Sequence, residues 1–384
     1  MIRKDRMVET VMDLVRLDSH SKQEKPVADY LVRALGELGA SVQVDDAGTA
    51  VQGNTGNVVA RFAARGSGAA PLLLSSHMDV VPPGTSVKPL READRVRSDG
   101  TTILGGDDKS GLAVILEVVR ALKEHDVQHG PIEVAFTICE EVGLLGAKHL
   151  DYGAIQSKEA IVLDSARSSQ LVTAAPSADR FTITVHGLEA HAGMCPEDGI
   201  SAVRVAAEAI ASMPVGRVDR ETTTNVIITG GPTAVNVVPN FCVVRGEARS
   251  LRDERLDEVM RSIRASFADA ASRATITLGG DIRRAWIEEQ CEREYHSMQI
   301  PADAPIVQLV MRAARRLDVT VETITIGGGS DANVYNRHGI TSVNLGTGMR
   351  DIHTVNEWID LEDFYRSAEI VLQCVKERAA AQGS

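Results

Sequence analysis

The spacing of hydrophobic positions in the first half of the chain predicts helices and buried strands in alternation. Apolar side chains recur at helical spacing over residues 5–18 and 24–39, and the second segment ends at glycine, a common helix stop. The elements that follow are predicted as strands at 57–64, 71–81, 131–141 and 160–166, with a glycine-rich turn at 104–111 that leads into a helix. This alternation is typical of an α/β domain with a largely parallel sheet.

A different pattern begins near residue 178. Segments that alternate with period two, as half-exposed strands do, are separated by two amphipathic helices. The predicted elements are a strand at 180–187, a helix at 201–213, strands at 222–231 and 240–250, a helix at 254–274 and a strand at 274–284. The order βαββαβ predicts a compact α+β domain whose antiparallel sheet has one exposed face.

The first pattern returns in the last quarter of the chain. Its predicted elements are a helix from residue 305, buried strands at 321–329 and 341–348, and a closing helix at 361–381. The simplest organisation is one α/β domain, made of residues 1–177 and 291–384, interrupted by an inserted α+β domain at 178–290. The predicted fold class is therefore α/β, with a mostly parallel central sheet flanked by helices and an inserted βαββαβ domain.

Composition and charge narrow the possible partners. The 384 residues carry 41 Lys and Arg against 53 Asp and Glu, a net charge of −12, and such an acidic surface repels the phosphates of nucleic acids. No run approaches the roughly 20 apolar residues of a membrane span, and acids interrupt the apolar start, unlike a signal peptide. Five scattered cysteines without a CxxC pair indicate reduced thiols. We therefore predict a cytoplasmic protein without nucleic-acid or membrane partners.

Two pairs of polar residues follow apolar or glycine-rich segments in the first domain. His77 and Asp79 lie two apart in an extended segment, so their side chains leave the same face, and a carboxylate commonly orients a histidine ligand. A surface ion pair is the alternative. Asp107 and Asp108 lie in the glycine-rich turn at a helix start, where acids also occur as caps favoured by the helix dipole. Each pair alone is a weak indication of metal binding.

Further polar residues end other predicted strands. Glu140 and Glu141 follow an apolar strand, and two adjacent carboxylates there repel each other unless cations neutralise them. Asp164 also ends an apolar strand, where a turn residue is the alternative. His353 follows a later strand, where an ordinary loop histidine is the alternative. In open α/β sheets, ligands gather at the carboxyl ends of the strands, so these residues are candidates for one site.

The combination of histidines and carboxylates points to a particular class of metal. Mixed nitrogen and oxygen ligands suit Zn²⁺, or Mn²⁺ or Co²⁺, better than Ca²⁺ or Mg²⁺, which prefer oxygen alone. Five candidate protein ligands exceed the three that a single catalytic zinc usually takes. A two-metal centre with a shared carboxylate is therefore a reasonable hypothesis.

The motifs that carry these residues resemble those of the zinc-dependent exopeptidase and amidohydrolase family, which includes glutamate carboxypeptidase, aminoacylase, succinyl-diaminopimelate desuccinylase and peptidase T. In chain order they are SSHMDVVPPG, LGGDDKSG, TICEEVGLLGA, VLDSA, EAHAG and GTGMRDIHTVNEW. The resemblance extends from about residue 70 to about residue 360. GGDDKSG, EARS and GGGSDAN are most similar to the peptidase T-like branch.

The resemblance implies a role for each residue of the candidate site. It implies that His77 and Asp164 bind one metal ion, that Glu141 and His353 bind the second, and that Asp107 bridges both. It also implies that Asp79 orients the ring of His77 and that Glu140 is the general base that deprotonates a metal-activated water.

The implied activity is cleavage of a peptide bond in small peptides, as in a tripeptidase or aminopeptidase. The alternative is an amidohydrolase that acts on N-acyl amino acids or dipeptides with the same metal site. The inserted domain is expected to act as a lid and to support a homodimer. Candidate substrate-binding residues are His191, Asn236, Arg249, Gly328, Gly329 and Ser330. The alternatives are a local hydrogen bond for His191, a surface ion pair for Arg249 and a plain turn for the glycines.

Overall fold

A computed structural model describes residues 1–381 of the chain. The helices are α1 (Lys4–Val15), α2 (Lys25–Leu38), α3 (Ala47–Val51), α4 (Gly106–Glu124), α5 (Leu145–Lys148), α6 (Ala202–Ser212), α7 (Asp253–Arg273), α8 (Pro305–Arg315), α9 (Asp331–Arg337) and α10 (Leu361–Ala380). Their ends follow local chemistry: α2 stops at Gly39, whose φ of +96° disfavours side chains, and Asp360 caps α10 by accepting the N–H of Asp363.

The first ten strands are β1 (Ser41–Val44), β2 (Val58–Phe62), β3 (Leu72–His77), β4 (Leu90–Arg91), β5 (Arg95–Arg97), β6 (Ile132–Thr137), β7 (Glu159–Ser165), β8 (Gln170–Ala175), β9 (Ser177–His186) and β10 (Gly216–Arg217). The later strands are β11 (Thr222–Gly230), β12 (Phe241–Ser250), β13 (Thr275–Leu278), β14 (Asp281–Arg284), β15 (Trp286–Tyr295), β16 (Met298–Gln299), β17 (Glu322–Thr325), β18 (Thr341–Gly346), β19 (Met349–Arg350) and β20 (Trp358–Asp360).

The chain forms two compact units, which we call the main unit (residues 1–175 and the described residues from 298 onward) and the inserted unit (176–297). The predicted boundary at 290 falls inside β15, and this strand belongs to the inserted unit because it pairs with β9 along most of its length. Charged residues lie on both faces of β15, Glu288 and Glu292 on one and Glu289 and Arg293 on the other, so the sequence shows no alternation there.

The main unit is built on a mixed sheet in the order β1-β2-β6-β3-β7-β18-β8-β16, with β17 also pairing with β8. The central strands β6, β3, β7 and β18 are parallel, whereas β1, β2 and β16 pair antiparallel at the margins. Helices α4, α8, α9 and α10 contact this sheet. The predicted α/β class, with its mostly parallel central sheet flanked by helices, is confirmed.

Helix α4 occupies the core of the main unit. It is buried along almost its whole length, and α1 and α10 pack against it. The strands contribute continuous apolar runs, as in Leu72–Leu74 of β3, which is usual for strands covered on both faces. The sheet, α1 and α10 therefore all contact α4 and fix its position.

The inserted unit has its own sheet, in the order β10-β11-β12-β9-β15, and its pairings are antiparallel. Helices α6 and α7 pack against the sheet and bury a separate core that includes Phe181 and Phe267. The strand predicted at 274–284 is instead the hairpin β13–β14, because Gly279 and Gly280 form a turn with positive φ angles.

Within residues 1–381, none of the helices combines the length and the apolar composition that crossing a bilayer requires.

Replacement of Phe267 by Ala should destabilise the inserted unit by about 3–5 kcal/mol, because the side chain is fully buried and its removal leaves a cavity. Native-state hydrogen exchange of the amides in β9 and β12 measures this loss. Asp269→Ala, on the exposed face of the same helix, is the control and should leave the exchange unchanged. Equal protection in Phe267→Ala and wild type would contradict the packing described here.

Candidate active site

Strand order brings polar strand ends together at one edge of the main sheet. Because β6, β3, β7 and β18 are adjacent and parallel, their carboxyl ends lie side by side. His77 is the last residue of β3, and Asp164 is the penultimate residue of β7. Glu140 and Glu141 lie in the turn after β6. His353 lies in the loop beyond β18 and β19.

Asp107 lies between the two histidines. It occupies the first turn of α4, where the backbone departs from helical angles and the Asp107–Asp108 peptide bond is cis. Its Oδ1 is 3.0 Å from Nε2 of His77, and its Oδ2 is 3.2 Å from Nε2 of His353. One carboxylate therefore faces both imidazoles, with one oxygen toward each.

Each histidine has a second acidic neighbour. Oε1 of Glu141 lies 2.9 Å from Nε2 of His353, and Oδ1 of Asp164 lies 4.0 Å from Nε2 of His77. The ligand atoms of His77, Asp107 and Asp164 lie within 4.8 Å of one another, as do those of Asp107, Glu141 and His353. These two groups share Asp107 and offer the nitrogen and oxygen donors that a pair of zinc-like ions requires.

The electrostatics of the cluster also fit divalent cations. Burial raises the pKa of the Asp164 and Glu140 carboxyls well above their usual values, and neighbouring acids add to this effect. Burial opposes ionisation of Asp107 too, but hydrogen bonds from His353 and His77 hold its pKa below the usual range. The hydrogen bond with Asp107, followed by that with Glu141, raises the pKa of His353 to about 10. Cations would offset this excess of buried acids.

Asp79 organises the turn around the cluster. Its Oδ1 accepts the backbone N–H of Glu140 at 2.9 Å, and its Oδ2 accepts the N–H of Glu141 at 3.2 Å and the hydroxyl of Ser21 at 2.6 Å. Nδ1 of His77 is 3.0 Å from the backbone oxygen of Asp79 and 3.4 Å from its carboxylate. The backbone oxygen of Asp79 is therefore the nearer partner of the ring.

Asp108 has a different surrounding from Asp107. Its carboxylate accepts the backbone N–H of His77 and that of Gly111, each at 3.3 Å. Gly105, which precedes α4, has no side chain and so cannot cap the helix. Asp108 therefore bonds to the end of β3 and to the first turn of α4, and it faces the backbone rather than the two histidine rings.

A cavity of about 440 Å³ opens beside the cluster. Its walls include Gly328, Gly329 and Ser330, together with the apolar side chains of Ile326 and Met349. This volume lies within the range of small-molecule pockets, which is about 300–1,000 Å³. The remaining lining residues are Asp107, Glu140, Glu141, Asp164, Ser165, Ala166, Arg350, Asp351, Ile352 and His353.

The other predicted substrate-binding residues belong to the inserted unit. Nδ1 of His191 accepts the N–H groups of Gly193 and Met194, each at 3.2 Å. The backbone oxygen of Asn236 accepts the N–H of Ala192 at 2.9 Å. Arg249 forms an ion pair with Glu247 at 3.2 Å. A role for His191, Asn236 or Arg249 in substrate binding stays a prediction.

Some residues of the site were not singled out from the sequence. Ser21, in the loop after α1, bonds to Asp79 from a distant part of the chain. Asp331 is buried at the start of α9 and accepts a hydrogen bond from the hydroxyl of Thr137, the last residue of β6. Glu357 is buried in the loop after His353. The only sequence signal for Asp331 and Glu357 was their presence in the GGGSDAN and HTVNEW motifs.

Comparison with known proteins identifies relatives along the whole chain. The model of peptidase family M20/M25/M40 matches residues 73–377. The uncharacterized protein YqjE of Bacillus subtilis is 38% identical over 381 residues, which are 99% of this chain and 100% of that protein. Two solved structures are also similar. The aminopeptidase PepT of Bacillus cereus is 37% identical with a TM-score of 0.91, and the match covers 98% of this chain and 99% of the other. A tripeptidase of Staphylococcus aureus is 34% identical with a TM-score of 0.93, and the match covers 99% of this chain and 100% of the other.

Zinc should stabilise the metal-free protein, and Asp164→Asn should weaken this effect because it removes the charge of a candidate ligand beside His77. Free Zn²⁺ at 100 times its dissociation constant stabilises a protein by about 2.7 kcal/mol. Thermal unfolding with and without Zn²⁺ measures the difference. Asp13→Asn, an exposed residue of α1, is the matched control. The same zinc-induced shift in Asp164→Asn as in wild type would remove Asp164 from the candidate ligands.

Proposed function

Because the chain belongs to peptidase family M20/M25/M40 and is therefore a peptidase, we propose that it is a two-metal exopeptidase that cleaves small peptides, as a tripeptidase or aminopeptidase. The family match confirms the resemblance seen in the motifs. The proposed substrate class is supported by similarity, over nearly the whole chain, to an aminopeptidase and a tripeptidase. The substrate is thus a short peptide with a free terminus.

The position of Asp107 carries the two-metal proposal. Because its two oxygens face different histidines, it is suited to bridge two ions. We assign His77 and Asp164 to one ion and Glu141 and His353 to the other. The donor set favours zinc, with manganese or cobalt as alternatives. The chemistry that such ions supply is Lewis acidity, which activates water and polarises a carbonyl group.

Glu140 is the proposed general base. A third group of possible ligands joins Glu140 and Glu141 to His77, so either glutamate could bind metal. Glu141 is the better ligand because it already contacts His353 at 2.9 Å. Glu140 is left with its carboxylate lining the cavity and its backbone held by Asp79. Burial raises the pKa of the Glu140 carboxyl, and a raised pKa strengthens a carboxylate as a proton acceptor.

The proposed reaction moves one proton through Glu140. The carboxylate accepts a proton from the attacking water as the oxygen bonds to the peptide carbonyl carbon. The same carboxyl then donates that proton to the amide nitrogen, the C–N bond breaks, and the amine leaves. The second proton of the water stays on the new carboxyl group, so the products are a carboxylic acid and an amine, which exchange that proton at neutral pH to give a carboxylate and an ammonium group.

The cavity supports a small substrate beside this machinery. Ile326, Met349 and Ile352 give it an apolar wall that can receive a side chain. We propose that the turn Gly328–Ser330, which lines the cavity, binds a polar end of the peptide, because glycines let a backbone approach a ligand closely.

Glu140→Gln should lower kcat by roughly 10²- to 10⁴-fold, because the amide has nearly the same shape but cannot accept the proton. The metal content, measured by elemental analysis, should remain that of the wild type. Measuring both kcat and metal content distinguishes a general base from a metal ligand. Loss of metal together with activity would assign Glu140 to metal binding. Retained turnover would exclude Glu140 as the base.

Assays on a panel of substrates should distinguish a peptidase from an amidohydrolase. We expect hydrolysis of tripeptides with higher kcat/KM than dipeptides or N-acyl amino acids, measured on the same metal-loaded protein. Chelation should abolish the activity and Zn²⁺, Mn²⁺ or Co²⁺ should restore it. Faster hydrolysis of N-acyl amino acids than of every tripeptide would support the amidohydrolase instead.

A further inference from the structure

The side chain of Glu357 is buried against the glycine-rich turn at the start of α4. Only 1% of the residue is exposed. Its Oε2 accepts the backbone N–H groups of Leu104 and Gly105, each at 2.8 Å, and its Oε1 accepts the N–H of Asp107 at 2.9 Å. A single carboxylate thus bonds to three donors of one turn, including the residue that faces both histidines.

Glu357 also belongs to the loop that carries His353, only four residues away. It therefore links the segment of His353 to that of Asp107, which is 250 positions earlier in the chain. The fit is close, because a Cβ placed on Gly106 would lie 2.9 Å from Ile359 and 3.2 Å from Oε1 of Glu357. Glycine at this position lets the turn approach the carboxylate.

We propose that Glu357 is a positioning residue that fixes Asp107 relative to His353 and thereby sets the affinity for the ion that these two residues hold together with Glu141. This inference rests on the proposed two-metal function. Glu357 itself does not contact substrate in this scheme: it acts through the backbone of Asp107, whose Oδ2 lies 3.2 Å from Nε2 of His353.

The role requires a carboxylate of this length. Glutamine would replace one acceptor oxygen by an NH₂ donor, which would face at least one backbone N–H and repel it. Aspartate keeps the two acceptors but is one methylene shorter, so it cannot reach all three amides without moving the loop. Both changes should therefore let Asp107 and His353 move apart without altering any proposed metal ligand.

The chain contains a matched control in Glu133. It is as deeply buried as Glu357, and its carboxylate accepts the N–H groups of Gln156 and Ser157 at 3.0 and 2.8 Å and the Ser157 hydroxyl at 2.6 Å. It also pairs with Arg61. None of these partners is a candidate metal ligand. Glu133→Gln thus disturbs the same kind of buried carboxylate at a place where no ion is proposed.

The experiment titrates metal-free wild type, Glu357→Gln, Glu357→Asp and Glu133→Gln with Zn²⁺ by calorimetry, with chelator competition for tight sites. Thermal unfolding of the metal-free proteins monitors folding. We expect wild type and Glu133→Gln to bind two ions alike. In both Glu357 variants one of the two sites should weaken by roughly 10- to 100-fold, the usual effect of removing a residue that supports a metal ligand. Excess Zn²⁺ should restore much of their kcat with little change in KM.

The outcomes separate the two proposals. If wild type and both Glu357 variants bind two ions with equal affinity, the proposed role of Glu357 is overturned and the two-metal function stands. An equal loss in Glu133→Gln would overturn it as well, because the effect would then be general destabilisation. Fewer than two ions in wild type would overturn both proposals. If Glu357→Gln does not fold, the titration of Glu357→Asp decides.

Discussion

The repulsion among buried carboxylates at one edge of the main sheet is the constraint on which the rest of the site depends. Asp107, Asp164, Glu140 and Glu141 meet where four parallel strands end, and two histidines supply the nearby counter-charge. A protein gains nothing in stability from assembling acids in this way, because each raises the cost of ionising the others. Such a cluster is understandable as a binding site whose ligand brings positive charge.

The surrounding residues can be understood as supports for this unfavourable cluster. Asp79 bonds to the turn that carries both glutamates, Asp108 bonds to the end of β3, and Glu357 bonds to the turn that carries Asp107. All three use a carboxylate to accept backbone N–H groups, so they fix the main chain and leave the ligand side chains directed at each other. Under the proposed function, acids serve as ligands, as a base and as supports, and only the partner of each carboxylate distinguishes these roles.

The sequence predicted the α/β class and the polar strand ends, because a buried strand that stops at His77 or near Asp164 contrasts sharply with its apolar neighbours. It did not predict β15, whose charged residues lie on both faces and leave no alternation, or the position of β18 between β7 and β8. Glu357 was also missed. Its partners are backbone amides about 250 residues earlier. Because almost every residue has a backbone amide, such a partner cannot be identified from residue types.

The central place of β18 has a consequence for synthesis of the protein. Residues 341–346 lie between β7 and β8, which are made before the whole inserted unit, and His353 follows them. A nascent chain therefore carries an incomplete sheet and lacks one imidazole of the cluster until β18 and His353 have been translated, after the whole inserted unit. Since a domain folds as a unit, the main unit can complete its sheet and its candidate site only after residues 341–353 have left the ribosome.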